Sequence, residues 1–190
     1  MTGPLDGIKV IECTVWAQGS YAGTILGDLG ATVIKIENPQ GGDPARGMAQ
    51  MSQMRSAIPG KLDRNYFMEA FNRSKRSLAL DLQKEKGREI AYKLIEGADV
   101  FVHNFRPDVP ERLGMDYETL SRLNPRIIYA EATGFGPEGD GPGEGQERPS
   151  RGMSMVGHAY SPDPRGRTRR RHPRLDQSLV SEPDAPSADR

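Results

Sequence analysis

The sequence predicts an α/β fold, a mainly parallel sheet with helices on both faces, followed by a disordered tail. Three observations point there. Short runs rich in β-branched residues alternate with segments of helical period, the pattern of strand–helix–strand units. Composition breaks near Pro142: all seven lysines lie at or before Lys93, whereas residues 143–190 hold nine arginines, six prolines, no lysine and no Ile, Phe or Trp. The single cysteine, Cys13, excludes an internal disulfide and a cysteine-based metal site.

The elements follow in chain order. Lys9-Val-Ile-Glu-Cys13 is a short apolar run, the first strand. Ser20–Leu29 reads as a helix, and Gly19, Gly23 and Gly27 recur every four residues, so one small face admits a close neighbour. Thr32–Ile36 is a β-branched second strand. Pro39–Pro59 is rich in Gly, Pro and polar residues and reads as loop. Ser77–Leu82 alternates polar and apolar residues, a third strand or extended segment. Lys84–Glu96 places Ile90, Ala91, Leu94 and Ile95 at helical spacing and stops at Gly97. Asp99–His103 and Arg126–Glu131 are further strands; Pro110–Leu113 and Tyr117–Leu123 are short helices.

The ordered part is expected to span residues 4–142 and the tail residues 143–190. No strand or helix period survives in the tail, and a stretch so poor in apolar residues cannot offset its ordering entropy. Its basic run Arg165–Arg174 reads as a solvated tail in preference to a nucleic-acid-binding arm. Arg and Pro without Lys, Ile or Phe also resembles GC-rich coding DNA read out of frame.

Charge and hydropathy exclude several classes. Lys+Arg and Asp+Glu number 26 each, so no chain-wide field favours nucleic acid or an anionic membrane. No apolar run reaches the ~18 residues of a membrane span. The start lacks a basic region followed by an apolar one, so no secretory signal and a cytoplasmic location are expected.

Ligands of parallel sheets gather outside the carboxyl ends of the strands. Here that rim is formed by Thr14–Gly19, Glu37-Asn38-Pro39, Asn104-Phe-Arg-Pro107 and Thr133-Gly-Phe-Gly136. It has neither G-x-G-x-x-G nor a P-loop. It does draw on separated cations, Arg46, Arg73, Lys75, Arg76, Arg106 and Arg112, which suit a ligand with more than one phosphate. Other titratable groups read as structural. His103 is expected to be a rim or core histidine and Cys13 a buried thiol. Glu12 and Glu37 end two strands and would serve acid–base work only if they met. His158 and His172 lack a metal-ligand context, so no metal site is expected.

The segments Pro4–Glu12, Leu26–Glu37, Gly42-Asp-Pro44, Asn72–Leu82, Ala98–Pro107 and Leu123–Tyr129, in this order and spacing, resemble class III CoA-transferases, the CaiB/BaiF family. That family includes formyl-CoA and carnitine CoA-transferases and α-methylacyl-CoA racemase. The resemblance covers Pro4 to about Pro142. It implies a Rossmann-like sheet and coenzyme A or an acyl-CoA as substrate, with no permanently bound cofactor. It places CoA contacts at Ala17 and Gln18, at Leu80, Asp81 and Leu82, and at Asn104, Phe105, Arg106 and Arg112. It also implies a small carboxylic acid as acceptor and an interlocked homodimer.

Family transferases use an aspartate that attacks the donor thioester and carries CoA through an aspartyl thioester. That aspartate follows the Gly134-Phe-Gly136 loop. Asp176 stands at a comparable distance, but Arg174-Leu-Asp-Gln-Ser178 does not match the family pattern, so no catalytic residue is assigned. The expectation is a CoA-transferase-like chain, truncated and impaired, or alternatively a non-enzymatic acyl-CoA-binding module.

Overall fold

A computed structural model of the chain describes residues 3–50, 65–133, 156–162 and 168–171. The first strand, β1 (Lys9–Cys13), leads into α1 (Gln18–Asp28) and β2 (Thr32–Glu37). A 3-10 turn over Pro44–Gln50 precedes α2 (Tyr66–Asn72), which delivers β3 (Lys75–Ala79). Then come α3 (Glu85–Glu96), β4 (Val100–His103), α4 (Val109–Leu113), α5 (Tyr117–Leu123) and β5 (Ile128–Thr133). Two further strands, β6 (Val156–Pro162) and β7 (Thr168–Arg171), complete the described residues.

The strand order is β3-β2-β1-β4-β5-β6-β7. The first five strands are parallel; β6 and β7 continue the sheet antiparallel to β5. The chain winds outward from β1 to β3 and then returns to the other side of β1. The crevice between the carboxyl ends of β1 and β4 is therefore the topological switch point, where sheets of this kind bind ligands.

Alternation along the strands sends two apolar sets to opposite faces. Ile11, Phe101 and Tyr129 meet Ala91 and Ile95 of α3 and Leu120 of α5 on one face. Val10, Val33 and Val102 meet Leu26 of α1 on the other. Helices thus cover both faces, as expected. The small face of α1 is used as the spacing predicts: a Cβ on Gly23 would strike the Glu12 carboxylate beneath it.

Two expectations change. β3 begins at Lys75 and ends at Ala79, not at Leu82. Lys75 can enter the strand because its ammonium reaches back to Glu12 at 2.8 Å beneath α1, and Leu80 leaves it because the chain turns through an Asp81–Lys84 bend. Helix α2 was not foreseen; the Asn65 side chain caps it by accepting from Met68 N–H at 3.0 Å. Within the segment expected to be a tail, the described residues form β6, which pairs with β5, and β7, which pairs with β6. The remainder of the tail, with Arg165, Arg167, His172 and Asp176, lies outside the described residues, as does the Gly134-Phe-Gly136 loop.

Candidate binding site

The loop after β1 is held from both sides of the switch point. Asn104, just past β4, donates from Nδ2 to the Val15 carbonyl (2.8 Å) and accepts the Val15 N–H (3.0 Å). One residue on, Trp16 N–H donates to Asp43 Oδ1 at 3.0 Å. Trp16 has φ of 62°, a left-handed conformation that is strained for a bulky side chain. Such strain costs ~1–3 kcal/mol. A hydrogen bond to a carboxylate contributes ~1.5–3 kcal/mol, enough to offset it.

Asp43 is itself anchored by buried charge. Its Oδ2 lies 2.7 Å from Lys35 Nζ, and Lys35 stands 3.3 Å from Glu12 Oε1. Glu12 Oε2 meets Lys75 Nζ at 2.8 Å. Two carboxylates and two ammoniums are thus enclosed under α1, all at most 2% exposed. Ser20 and Asn72 accept further bonds from Lys35, at 2.9 and 2.8 Å. Burial pushes the Lys75 ammonium down, and Glu12 beside it works in the other direction. The set is electrically neutral, and its visible output at the rim is the position of Trp16.

Beside this loop a cavity of about 590 Å³ opens at the carboxyl ends of β1, β2 and β3. Its volume is within the range of about 300–1,000 Å³ usual for small-molecule sites. Cys13, Thr14 and Val15 form one wall, and Glu37, Gly42 and Asp43 another. Leu80–Gln83 line the side of β3, Arg88 comes from α3, and Phe105, Val109 and Arg112 close it from β4 and α4.

Of the residues singled out in the sequence, the cavity brings together Leu80, Asp81, Leu82, Phe105 and Arg112. It does not include Ala17, Gln18, Asn104 or Arg106. Ala17 is buried at the start of α1, Gln18 is half-buried, Asn104 is engaged by Val15, and Arg106 is exposed beyond β4.

The cations separate into two groups. Arg46 forms a bidentate pair with Glu37, at 2.8 and 2.6 Å. Arg73 pairs with Asp28 at 2.7 Å, and Lys75 with Glu12. Arg73, Lys75 and Arg76 stand at the amino end of β3, away from the rim, because the strand starts at Lys75. Arg112 remains at the cavity, with a 3.5 Å contact to Asp108 at the surface.

The carboxylates are similarly committed. Glu12 and Glu37 do not form an acid–base pair: each has its own cation. The Arg46 guanidinium holds the Glu37 carboxyl down at about 2, helped by the Asp43 N–H and the Ser77 hydroxyl. His103 is buried among Phe101, Phe105 and Tyr129, and burial pushes its pKa down to about 4. Its Nδ1 accepts the Phe105 N–H at 3.2 Å, which leaves the proton on Nε2. Burial likewise pushes the Cys13 thiol up, so it is not a nucleophile at neutral pH. Both match their structural readings.

Sequence reasoning missed Arg88, Gln83 and Asp43. The signal was available for Arg88, since the first turn of a helix following a parallel strand must sit at the carboxyl-end rim. Among the described residues no cluster of three metal-ligating side chains occurs, and no helix is long and apolar enough to cross a membrane.

A doubly wound half-sheet with a cavity at the carboxyl ends of its strands, lined in part by Arg88 and Arg112, is an α/β unit of the kind that binds ligands at that edge. Comparison with known proteins makes it specific: the model of CoA-transferase family III matches residues 5–162, and the chain belongs to that family. The match runs across Pro142, where the resemblance in the sequence was expected to end. The succinate–glutarate CoA-transferase of Agrobacterium fabrum is 43% identical over 136 residues, covering 72% of this chain and 34% of that protein. The acetyl-CoA:oxalate CoA-transferase of Acetobacter aceti is 42% identical over 137 residues, covering 72% and 33%. A CaiB/BaiF family protein from Brucella suis superposes with a TM-score of 0.63 at 37% identity, over 76% of this chain and 37% of that one. The chain spans about a third of the length of the curated relatives it matches.

Proposed function

We propose that this chain is the CoA-binding α/β half of a CoA-transferase, exchanging CoA between an acyl-CoA donor and a small carboxylic acid. The observation that carries the reading is the cavity: Leu80–Leu82, Phe105 and Arg112, three separate segments assigned to CoA by resemblance, line one space at the switch point. In the exchange an aspartate would attack the thioester carbonyl and expel CoA thiolate. The thiolate would return to the aspartyl carbonyl of the mixed anhydride so formed, giving an aspartyl thioester and releasing the donor carboxylate. The acceptor carboxylate would then attack that thioester, and the thiolate it frees would take the acceptor acyl group from the second anhydride and regenerate the aspartate. The developing oxyanion needs positioned N–H donors. Homodimer formation fits the apolar stripe Tyr21, Ile25 and Leu29 exposed along α1.

A second reading, a CoA-binding module without turnover, is favoured by one observation. Of the carboxylates at the cavity, Glu37 and Asp43 are bound to Arg46 and Lys35, and Asp81 Oδ1 accepts the Gln83 N–H at 3.0 Å. None is placed as a nucleophile. Calorimetry with CoA and succinyl-CoA tests both readings, and no heat at millimolar ligand refutes both. Isotope exchange from labelled succinate or oxalate into acyl-CoA separates them: exchange supports the transferase, and binding without exchange the module. The truncation is tested by reading the gene around codon 142 in all three frames. A continuous family reading frame in another register establishes a shift.

A further inference from the structure

One cation at the cavity is not used by the reading above. Arg88 lies in the first turns of α3, half-buried, and lines the same cavity as Arg112. Gly87 lets the helix approach closely, since a Cβ there would collide with the Asp81 carbonyl oxygen. From that position Arg88 Nη1 donates to the carbonyls of Leu82 (3.2 Å) and Gln83 (3.0 Å). Among the described residues no carboxylate pairs with this guanidinium, whereas Arg46 and Arg73 each hold one. One nitrogen of the fork is therefore fixed by two carbonyls, and the others have no acceptor among the described residues. A planar, permanently charged group with its rotamer set in advance is the form of arginine that binds phosphate well.

We propose that Arg88 anchors a phosphate of the ligand, from a different helix than Arg112. The inference rests on the cavity being the site of a phosphorylated thiol carrier. Two groups of coenzyme A share this chemistry, the pyrophosphate and the ribose phosphate.

The test is calorimetry on the full chain with CoA, dephospho-CoA and inorganic pyrophosphate, using wild type, Arg88→Gln and Arg88→Lys at low and high KCl. Arg88→Gln is expected to weaken CoA at least about 10-fold at low salt, and Arg88→Lys less, because only the former loses the charge. The deficit should shrink at high salt as screening removes the charge term. A deficit that persists with dephospho-CoA assigns Arg88 to the pyrophosphate; one that vanishes assigns it to the ribose phosphate. A CoA deficit below that size overturns the proposal. So does one independent of salt in both variants, which is what a displaced Leu82–Gln83 loop would produce. If wild type binds no CoA, the functional reading fails and pyrophosphate decides the inference alone. Arg88-dependent broadening of its phosphorus resonance sustains it, and broadening unaffected by Arg88→Gln, or none, overturns it.

Discussion

Replacing Lys35 by Met should be among the most damaging single changes in the described structure. Lys35 is 2% exposed and touches Asp43 at 2.7 Å and Glu12 at 3.3 Å, both fully buried. At an effective dielectric of about 20, a 2.7 Å pair has a gross attraction of about 6 kcal/mol, from which the cost of desolvation must be subtracted. Removing one partner leaves the other charged and buried, which costs about 3–5 kcal/mol. Lys75 still neutralises Glu12 after Lys35→Met, so the stranded charge is that of Asp43. Combining Lys35→Met with Asp43→Asn removes that charge, and the amide oxygen can still accept from Trp16 and Ala45 N–H. The double variant should therefore be less destabilised than the sum of the singles by ~1–3 kcal/mol. Urea unfolding of the four proteins at neutral pH measures this. Single losses under ~1 kcal/mol would refute the reasoning, as would strict additivity, since either means the cluster is solvated or uncoupled.

Four further outcomes follow from other sites. The Glu37 carboxyl is depressed in the folded state, so its stabilisation is present above its ordinary value near 4.5 and lost as pH falls toward about 2. Arg46→Met should move acid unfolding to higher pH, read by circular dichroism during acid titration. His103 is depressed to about 4, so the folded state binds fewer protons than the unfolded chain between pH 6.5 and 4. Stability should decline across that window by at most about 1.4 kcal/mol per pH unit, and His103→Phe should flatten the slope in urea titrations at pH 7 and 5. Gly87→Ala should cost more than ~2 kcal/mol and weaken CoA binding, because its methyl meets backbone rather than a movable side chain. Trp16→Gly should leave the melting temperature unchanged or higher, since glycine accepts φ of 62° without strain and the indole is 46% exposed.

Where the sequence spoke through periodicity, it was read well. Tyr117–Leu123 is α5 to the residue, and Lys84–Glu96 misses α3 by one. Both have a helical period and a defined stop. The carboxyl-end rim followed from the alternation of strands and helices alone, and the switch point within it from the strand order of the structure. Illegible features depended on distant partners. Lys75 looks like a loop residue until Glu12, far away in the chain, appears beneath it. Arg46 looks like a phosphate ligand until Glu37 is found 2.6 Å away. β6 and β7 carry no strand period that the sequence shows, and their place is given by pairing alone, β6 on β5 and β7 on β6. At the site, Phe105 and Arg112 were legible as residues that follow a strand, whereas Leu80–Leu82 read as the end of a strand and entered only through the family resemblance. For Arg88 the place of its helix after a parallel strand was legible, and only the close approach at Gly87 that seats it was not.

Trp16 is the sole tryptophan of the chain, and it sits between the Asn104 clamp and the Asp43 bond. The protein thus has a built-in optical gauge. Indole emission shifts toward the blue when water is displaced from the ring and toward the red when the ring is released. A fluorimeter can therefore follow unlatching of the first loop, without any attached dye.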